Sequence, residues 1–205
     1  MTTPEILTRA LWRAADAVCF DVDSTVCMDE AIDELAKFAN KDKEVMDLTL
    51  RAMRGDAQQL PSLPPTSSYP WELISELHAR GVAVYLVSGG FHAIIDPVAQ
   101  KLEIPLKNVF ANSIKFFFTG DYAGFEESEP TSHQEGKAEV CAYLKHRFGY
   151  RRLIMIGDGV TDLAACPPAD AFIGFGGNQV REKVKQEAKW FVTSFHELLS
   201  ELRRN

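Results

Sequence analysis

Apolar residues recur at two different periods along this chain, and the switches between them mark its elements. Residues 3–14 carry Ile6, Leu7, Ala10, Leu11 and Ala14 on one helical face. Val18, Cys19, Phe20 and Val22 then form a short apolar run that reads as a buried strand, ending in Asp21-Val22-Asp23-Ser24-Thr25. Helical spacing returns over residues 30–40, through Ile32, Leu35, Ala36 and Ala39. It continues over residues 43–53, with Val45, Leu48, Ala52 and Met53 on one side and Gly55 as a stop. The stretch 56–69 holds three prolines and three serines with no useful period, and Pro64-Pro65 forbids a helix there, so it reads as an irregular connector.

The second half repeats the alternation. A helix is expected from Pro70 to a cap at Gly81, then a continuous β-branched and apolar run over residues 82–87 that reads as a buried parallel strand. Residues 91–102 look helical, with Pro97 predicting a kink or a late start. Residues 108–111 read as a strand, and residues 114–118 and 122–125 flank Thr119-Gly120-Asp121 as a β-hairpin. A helix over Gly136–Phe148 is expected to turn Val140, Leu144 and Phe148 inward. Strands follow at 153–156, 171–173 and 190–192, with a helix over 179–188. A last helix runs to Leu202 and opens on the capping box Ser194-x-x-Glu197.

Strands alternating with helices predict an α/β fold, a Rossmann-like and mostly parallel sheet flanked by helices. Such sheets bind ligands beyond the carboxyl ends of their strands. Three of the expected strand ends carry polar or Gly-rich sequence: Asp21-x-Asp23, Ser88-Gly89-Gly90 and Gly157-Asp158-Gly159.

Composition narrows the classes that remain. At 205 residues and 46% hydrophobic content the chain suits one domain, or one domain carrying a modest insertion. A net charge of -7 with no basic patch argues against nucleic acid as a partner. No apolar stretch has membrane-spanning length and the N-terminus has no secretory h-region, so no membrane partner is expected. Four cysteines (Cys19, Cys27, Cys141 and Cys166) without C-x-x-C or zinc-finger spacing read as reduced thiols in a cytoplasmic protein.

Asp21 and Asp23 stand at alternate positions, so they point the same way if the strand conformation persists. Like charges at a buried strand end are costly without a cation or hydrogen bonds to offset them. Together with Asp158, and with Asp162 a helical turn later, they make a hard oxygen site, which selects Mg²⁺ over zinc. Any one of these aspartates alone reads equally well as a turn cap. Ser88 and the Gly89 and Gly90 amides suit a phosphate, although S-G-G by itself is also a plain turn. Lys137 opens a helix, where the dipole disfavours a cation, which makes sense if it neutralises an anion; a solvated surface lysine is the alternative. Gly174-Phe175-Gly176-Gly177 lacks the third glycine of a dinucleotide fingerprint, and there is no Walker sequence.

Taken in order, the motifs Asp21-Val22-Asp23-Ser24-Thr25, Ser88-Gly89-Gly90, Lys137 and Gly157-Asp158-Gly159-Val160-Thr161-Asp162 resemble the haloacid dehalogenase superfamily of phosphohydrolases. The runs AVCFDVDSTV, AIDELAKF, VSGGF, NVFAN, DYAGF, MIGDG and ACPPADAFIGFGGN narrow the resemblance to its members that hydrolyse O-phosphoserine, the last step of serine biosynthesis. The resemblance implies that Asp21 is the nucleophile that becomes an aspartyl-phosphate. It makes Asp23 the acid that protonates the leaving serine oxygen and the base that later activates water. It implies Mg²⁺ held by the Asp21 carboxylate, the Asp23 backbone carbonyl and Asp158, with Asp162 supporting from behind. Ser88, Gly89, Gly90 and Lys137 would hold the phosphate, and Thr161 would line the site. Glu30 would pair with the substrate ammonium and Met53 would pack near it.

The sequence departs from this pattern between the first two motifs. Residues 1–29 and 71–205 correspond to the core domain. Residues 30–70 correspond to a helical cap insertion, shortened so that its later helices are replaced by the Pro/Ser connector. The arginine expected for the substrate carboxylate would fall in the missing part. Arg54 stands where a glycine is expected, and Arg51 and Arg54 read either as substitutes for that cation or as a solvated helix face. A cap reads the substrate and excludes water, so weaker discrimination and a lower rate are expected. Two alternatives stay open on the sequence: a catalytically impaired form that binds a ligand or partner, and a less specific small-molecule phosphatase. Apolar surface uncovered on residues 30–53 would favour a homodimer.

Overall fold

The computed structural model describes residues 3–27, 70–119 and 121–204. The helices expected over residues 30–40 and 43–53, the connector, Glu30, Met53 and Gly120 lie outside the described residues. Eight strands are described: β1 (Ala17–Phe20), β2 (Ala83–Phe91), β3 (Val109–Asn112), β4 (Ile114–Phe116), β5 (Tyr122–Phe125), β6 (Leu153–Gly157), β7 (Ala171–Phe175) and β8 (Trp190–Val192). Six of them form one sheet in the order β3-β2-β1-β6-β7-β8, and every pairing in it is parallel. β4 and β5 pair antiparallel as the separate hairpin that the sequence predicts.

The period of two decides which layer each strand residue enters. Val18 and Phe20 of β1, Ile154 and Ile156 of β6, and Ile173 and Phe175 of β7 face one apolar layer. That layer is completed by α1 (Thr3–Arg13), α2 (Pro70–Ala79), α3 (His92–Lys101) and α7 (Phe195–Leu202). The alternate residues Ala17, Cys19, Leu153, Met155 and Phe172 face the other layer, built by α4 (Gly136–Phe148), α5 (Val160–Ala164) and α6 (Glu182–Glu187). Each fully buried aliphatic or aromatic side chain contributes roughly 1.5–3 kcal/mol, so this two-sided core holds the sheet rigid beneath whatever its ends carry. None of the described helices is long and apolar enough to cross a membrane.

The sheet order puts β1 at the point where the chain turns to opposite sides, toward β2 and β3 on one flank and toward β6, β7 and β8 on the other. In doubly wound sheets the crevice outside the carboxyl ends of the strands at this switch point receives the ligand. Asp21 follows β1 directly and continues the β6 pairing through its amide to the Ile156 carbonyl, 2.9 Å away.

Several local expectations are corrected. Val22 is buried but lies beyond β1, in the turn that follows it. β2 continues through Ser88, Gly89 and Gly90 to Phe91, with a register shift against β3 across the glycines. α3 starts at His92 without delay: the His92–Asp96 side-chain contact at 2.9 Å and the buried Ile95, Val98 and Ala99 secure the turn that Pro97 leaves short of a donor. Phe148 is 53% exposed, because α4 ends there against Tyr150 instead of the core. The helix expected over 179–188 forms only as Glu182–Glu187. Glu197 accepts from the Thr193 amide at 2.8 Å, and the Ser194 side chain caps no helix amide, so the capping box does not form as expected.

Candidate active site

The chain leaves β1 into a tight turn instead of a continued strand. Asp21 (φ -65, ψ 156) and Asp23 (φ -65, ψ 131) keep extended dihedrals, while Ser24 takes the left-handed conformation at φ 55. A left-handed non-glycine residue costs about 1–3 kcal/mol and persists only where its surroundings enforce it. Here the turn is tied down from three directions. The Thr25 hydroxyl donates to Asp158 Oδ1 at 3.0 Å, and Asn178 Nδ2 donates to the carbonyls of Thr25 and Cys27, each at 3.1 Å. Asp23 Oδ2 accepts from the Ser88 hydroxyl at 3.1 Å.

Around this turn the three strand ends converge. A cleft is lined by Asp21, Asp23, Gly89, Lys137 and Thr161, together with Thr131, His133 and Gln134 from the segment entering α4. Ser88 is fully buried behind it, and its Oγ accepts from the Gly90 amide at 2.9 Å. The glycine turn is therefore braced from within by its own serine, with Gly89 at the surface of the cleft. Glu30 and Met53, expected on the substrate side, lie outside the described residues.

Lys137 is buried, and its ammonium sits 2.8 Å from Asp21 Oδ1 and 2.6 Å from Asp162 Oδ1. Burial works against its charge, but the carboxylates of Asp162 and Asp21 outweigh it and raise the Lys137 pKa. Asp162 is fully buried; its other oxygen accepts from the Gly159 amide at 3.0 Å. A side chain on Gly157 would collide with that carboxylate, which explains a glycine at the end of β6. Asp158 Oδ2 pairs with the Arg181 guanidinium at 2.7 Å.

Ligand oxygens of Asp21, Asp158 and Asp162 lie within 4.8 Å of one another, all three residues buried. Burial pushes the Asp158 carboxyl up, and the Asp21 charge adds to it; the hydrogen bonds from Arg181 and Thr25 pull the other way without cancelling it. Burial and Asp21 likewise push Asp162 well above the ordinary carboxylate range against the opposing Lys137 charge. Among the described residues this is an all-oxygen cluster with more negative charge than Lys137 and Arg181 fully offset. Its donor chemistry fits a hard divalent cation.

Sequence reasoning missed Arg181, Asn178, Thr25, Asn112 and Thr131. Arg181 and Asn178 follow the Gly-rich stretch after β7, whose Gly176 and Gly177 pack against Phe191 and Phe175. That stretch delivers Asn178 to the turn after β1, a role its resemblance to a nucleotide loop conceals.

A doubly wound parallel sheet with an aspartate pair, a buried lysine and an acidic cluster at its switch point defines a phosphohydrolase-type site on a Rossmann-like α/β fold. Residues 56–170 match the family model described as haloacid dehalogenase-like hydrolase. The chain is 50% identical to the phosphoserine phosphatase of Rattus norvegicus and 49% identical to that of Homo sapiens; each comparison covers 95% of this chain and 96% of the relative. A solved structure described as a phospho-aspartyl intermediate analogue of phosphoserine phosphatase superimposes with a TM-score of 0.67 at 26% identity, covering 92% of this chain and 99% of that one. The chain belongs to the phosphoserine phosphatase family of haloacid dehalogenase-like hydrolases, and is metal-dependent as that family is.

Proposed function

We propose that the chain is a Mg²⁺-dependent phosphomonoesterase of the cytoplasm that hydrolyses O-phosphoserine to serine and phosphate through an aspartyl-phosphate on Asp21. The observation that carries the reading is the buried Asp21 carboxylate, held by Lys137 in a cleft that also presents Asp23 and the Gly89 turn. Asp21 is aimed by its own turn: Oδ1 accepts from the Val22 amide at 2.8 Å and from Lys137. Asp23 hydrogen-bonds Ser88 beside it, in position to give a proton to the leaving oxygen and to take one from water. Lys137 and the Gly89 face of the Ser88–Gly90 turn would bind the transferred group's oxygens, with Ser88 bracing that turn from behind, and Thr161 would complete the wall. Asp21, the Asp23 carbonyl and Asp158 would hold Mg²⁺, with Asp162 supporting, and the ion would neutralise charge on the phosphoryl oxygens.

Residues 1–29 and 71–205 form the core in this reading, with residues 30–70 as a shortened cap insertion that brings Glu30 and Met53 to the substrate. The alignments with the rat and human relatives run over 216 and 219 residues, longer than the 205-residue chain, which supports a deletion relative to them. The test is phosphate release by the purified full chain from O-phosphoserine and from a panel of other small phosphate esters, with and without Mg²⁺. Release from phosphoserine above the rest, dependent on the metal, is expected. An aryl phosphate cleaved while phosphoserine is not would sink the specificity claim.

The raised carboxyl groups set the pH dependence. Asp158 and Asp162 bind protons more tightly folded than unfolded, so without metal the folded state loses stability as pH rises through their raised values. Mg²⁺ competes for the same oxygens and removes that loss. Saturating Mg²⁺ is expected to raise Tm more at about pH 8 than at about pH 5. Equal shifts at both pH values in a scanning-calorimetry series would contradict the assignment of these carboxylates to the metal.

A further inference from the structure

Two walls of the cleft come from segments far apart in sequence, the glycine turn in β2 and the turn entering α4, and one side chain joins them. Asn112, the last residue of β3, is 7% exposed. Its Nδ2 donates to the Gly89 carbonyl at 2.7 Å and to the Thr131 carbonyl at 3.3 Å, while its Oδ1 accepts from the Thr131 hydroxyl at 3.1 Å. With two carbonyl oxygens at one end of the amide, only the NH₂ group satisfies that end, and the Thr131 hydroxyl satisfies the other.

We propose that Asn112 is a positioning residue for the phosphoryl group, setting through one carboxamide the spacing between Gly89 and the Lys137 wall of the cleft. This rests on the reading that the cleft binds a phosphate ester.

The peptide joining Gly89 to Gly90 is held at both ends: its carbonyl by Asn112 and its N–H by Ser88 Oγ at 2.9 Å. Its plane is therefore set, and so is the face that Gly89 presents to the cleft. On the other wall, Thr131 lies in the helical turn Pro130–Ser132, which packs so closely on Gly136 that any side chain there would collide with the Pro130 carbonyl. Lys137 is the next residue. Displacement of Thr131 therefore passes to the start of α4 and to the lysine ammonium. Asn112 stands where β2 shifts register against β3, opposite Phe91, so the clamp sits at the place where strand pairing alone leaves the glycine turn least determined.

The clamp touches neither Asp21 nor Asp23, which hang on β1, its turn and Ser88. Its loss should weaken phosphate binding more than it slows the chemical step. The test uses the full chain with Mg²⁺ and inorganic phosphate as the probe, titrated by phosphorus NMR so that the readout needs no turnover. KM and kcat for O-phosphoserine are measured beside it. Asn112→Ala, and Asn112→Asp, which turns a carboxylate oxygen toward the two carbonyls, are expected to raise the phosphate Kd and KM together by about tenfold, while kcat changes less than about threefold. A folded Asn112→Ala protein whose phosphate Kd and KM stay within about twofold of the parent overturns the proposal, whatever its Tm.

Where Asn112→Ala fails to fold, Thr131→Val and Thr131→Ser decide. The first loses the hydroxyl bond to Oδ1, the second keeps it, so phosphate affinity should fall in the first and lie closer to the parent in the second. Equal affinities in those two variants overturn the proposal. A parent that binds phosphate through an Asn112-dependent site without turning over phosphoserine upholds the clamp and removes only the substrate assignment. A parent that binds no phosphate overturns both.

Discussion

An Asp21→Asn protein is expected to lose at least about 10⁴-fold in kcat, the order reached when a covalent nucleophile is removed from an otherwise complete site. The amide has the same shape as the carboxylate, and its oxygen can still accept from the Val22 amide, so the turn after β1 should keep its form. What it lacks is the charged oxygen that attacks phosphorus. Two readouts separate this from a damaged fold. The variant's Tm should remain near that of the parent, because Lys137 loses one charged partner but keeps Asp162 at 2.6 Å, while one of the carboxylates crowding Asp158 and Asp162 has been neutralised. Beryllium fluoride, which mimics an aspartyl-phosphate only on a carboxylate, should bind the parent in the presence of Mg²⁺ and leave the variant unoccupied by fluorine NMR. A variant that keeps a tenth of the parent's turnover would show that Asp21 is not the nucleophile.

Removal of the buried cation should be the most damaging change to the fold itself. In Lys137→Met the stem is replaced at similar volume, but Asp21 and Asp162 lose an ammonium at 2.8 and 2.6 Å. Breaking a buried pair by deleting one partner costs about 3–5 kcal/mol, because the remaining charge stays desolvated. Here it leaves two. Phosphate release should also fall to the background, since the cleft loses the cation that meets the transferred group.

The pH behaviour of the two proteins should differ in the window where stability is lost, although both lose it as pH rises. Lys137 has a pKa raised above its ordinary value of 10.5, so in the parent its contribution is fully present below that value and is lost as pH rises through the folded-state value. In the variant Asp162, already pushed up by burial and now without the lysine charge that opposes it, takes up a proton more readily folded than unfolded, so stability should recover as pH is lowered from about 8 toward about 5. Urea unfolding at several pH values checks both. A variant whose stability falls over the same acid range would mean that Asp162 is not the charge Lys137 compensates.

Much of the fold was legible because it rests on local periodicity. Val18 and Phe20 against Ala17 and Cys19 alternate as a two-sided strand must, and each is buried in the layer that alternation requires. The hairpin was legible from its turn residues. The errors fell where tertiary contacts override a local signal: Phe148 continues the helical stripe of Val140 and Leu144 but lies past the edge of the core, and Glu197 finds the Thr193 amide instead of Ser194. The Gly-rich stretch after β7 was legible only as a run that fails the dinucleotide fingerprint, not as the carrier of Asn178 and Arg181, because nothing near it in sequence marks their partners.

The same division separates what the chain's sequence determines about Asp21 and Asp23 from what only the folded molecule decides. Two carboxylates at the end of a buried strand, a glycine turn, a helix-opening lysine and a second acidic strand end follow from residue order. Family motifs assign them a chemistry. Which of them touch is decided by the sheet order β3-β2-β1-β6-β7-β8, which brings Lys137 onto Asp21, Thr25 onto Asp158 and Asn112 onto Gly89 across long stretches of chain. Periodicity encodes how a segment presents its faces, not which strand lies beside it. The neighbours come from packing all the apolar layers at once, and the clamp at Asn112 exists only in that assembled arrangement.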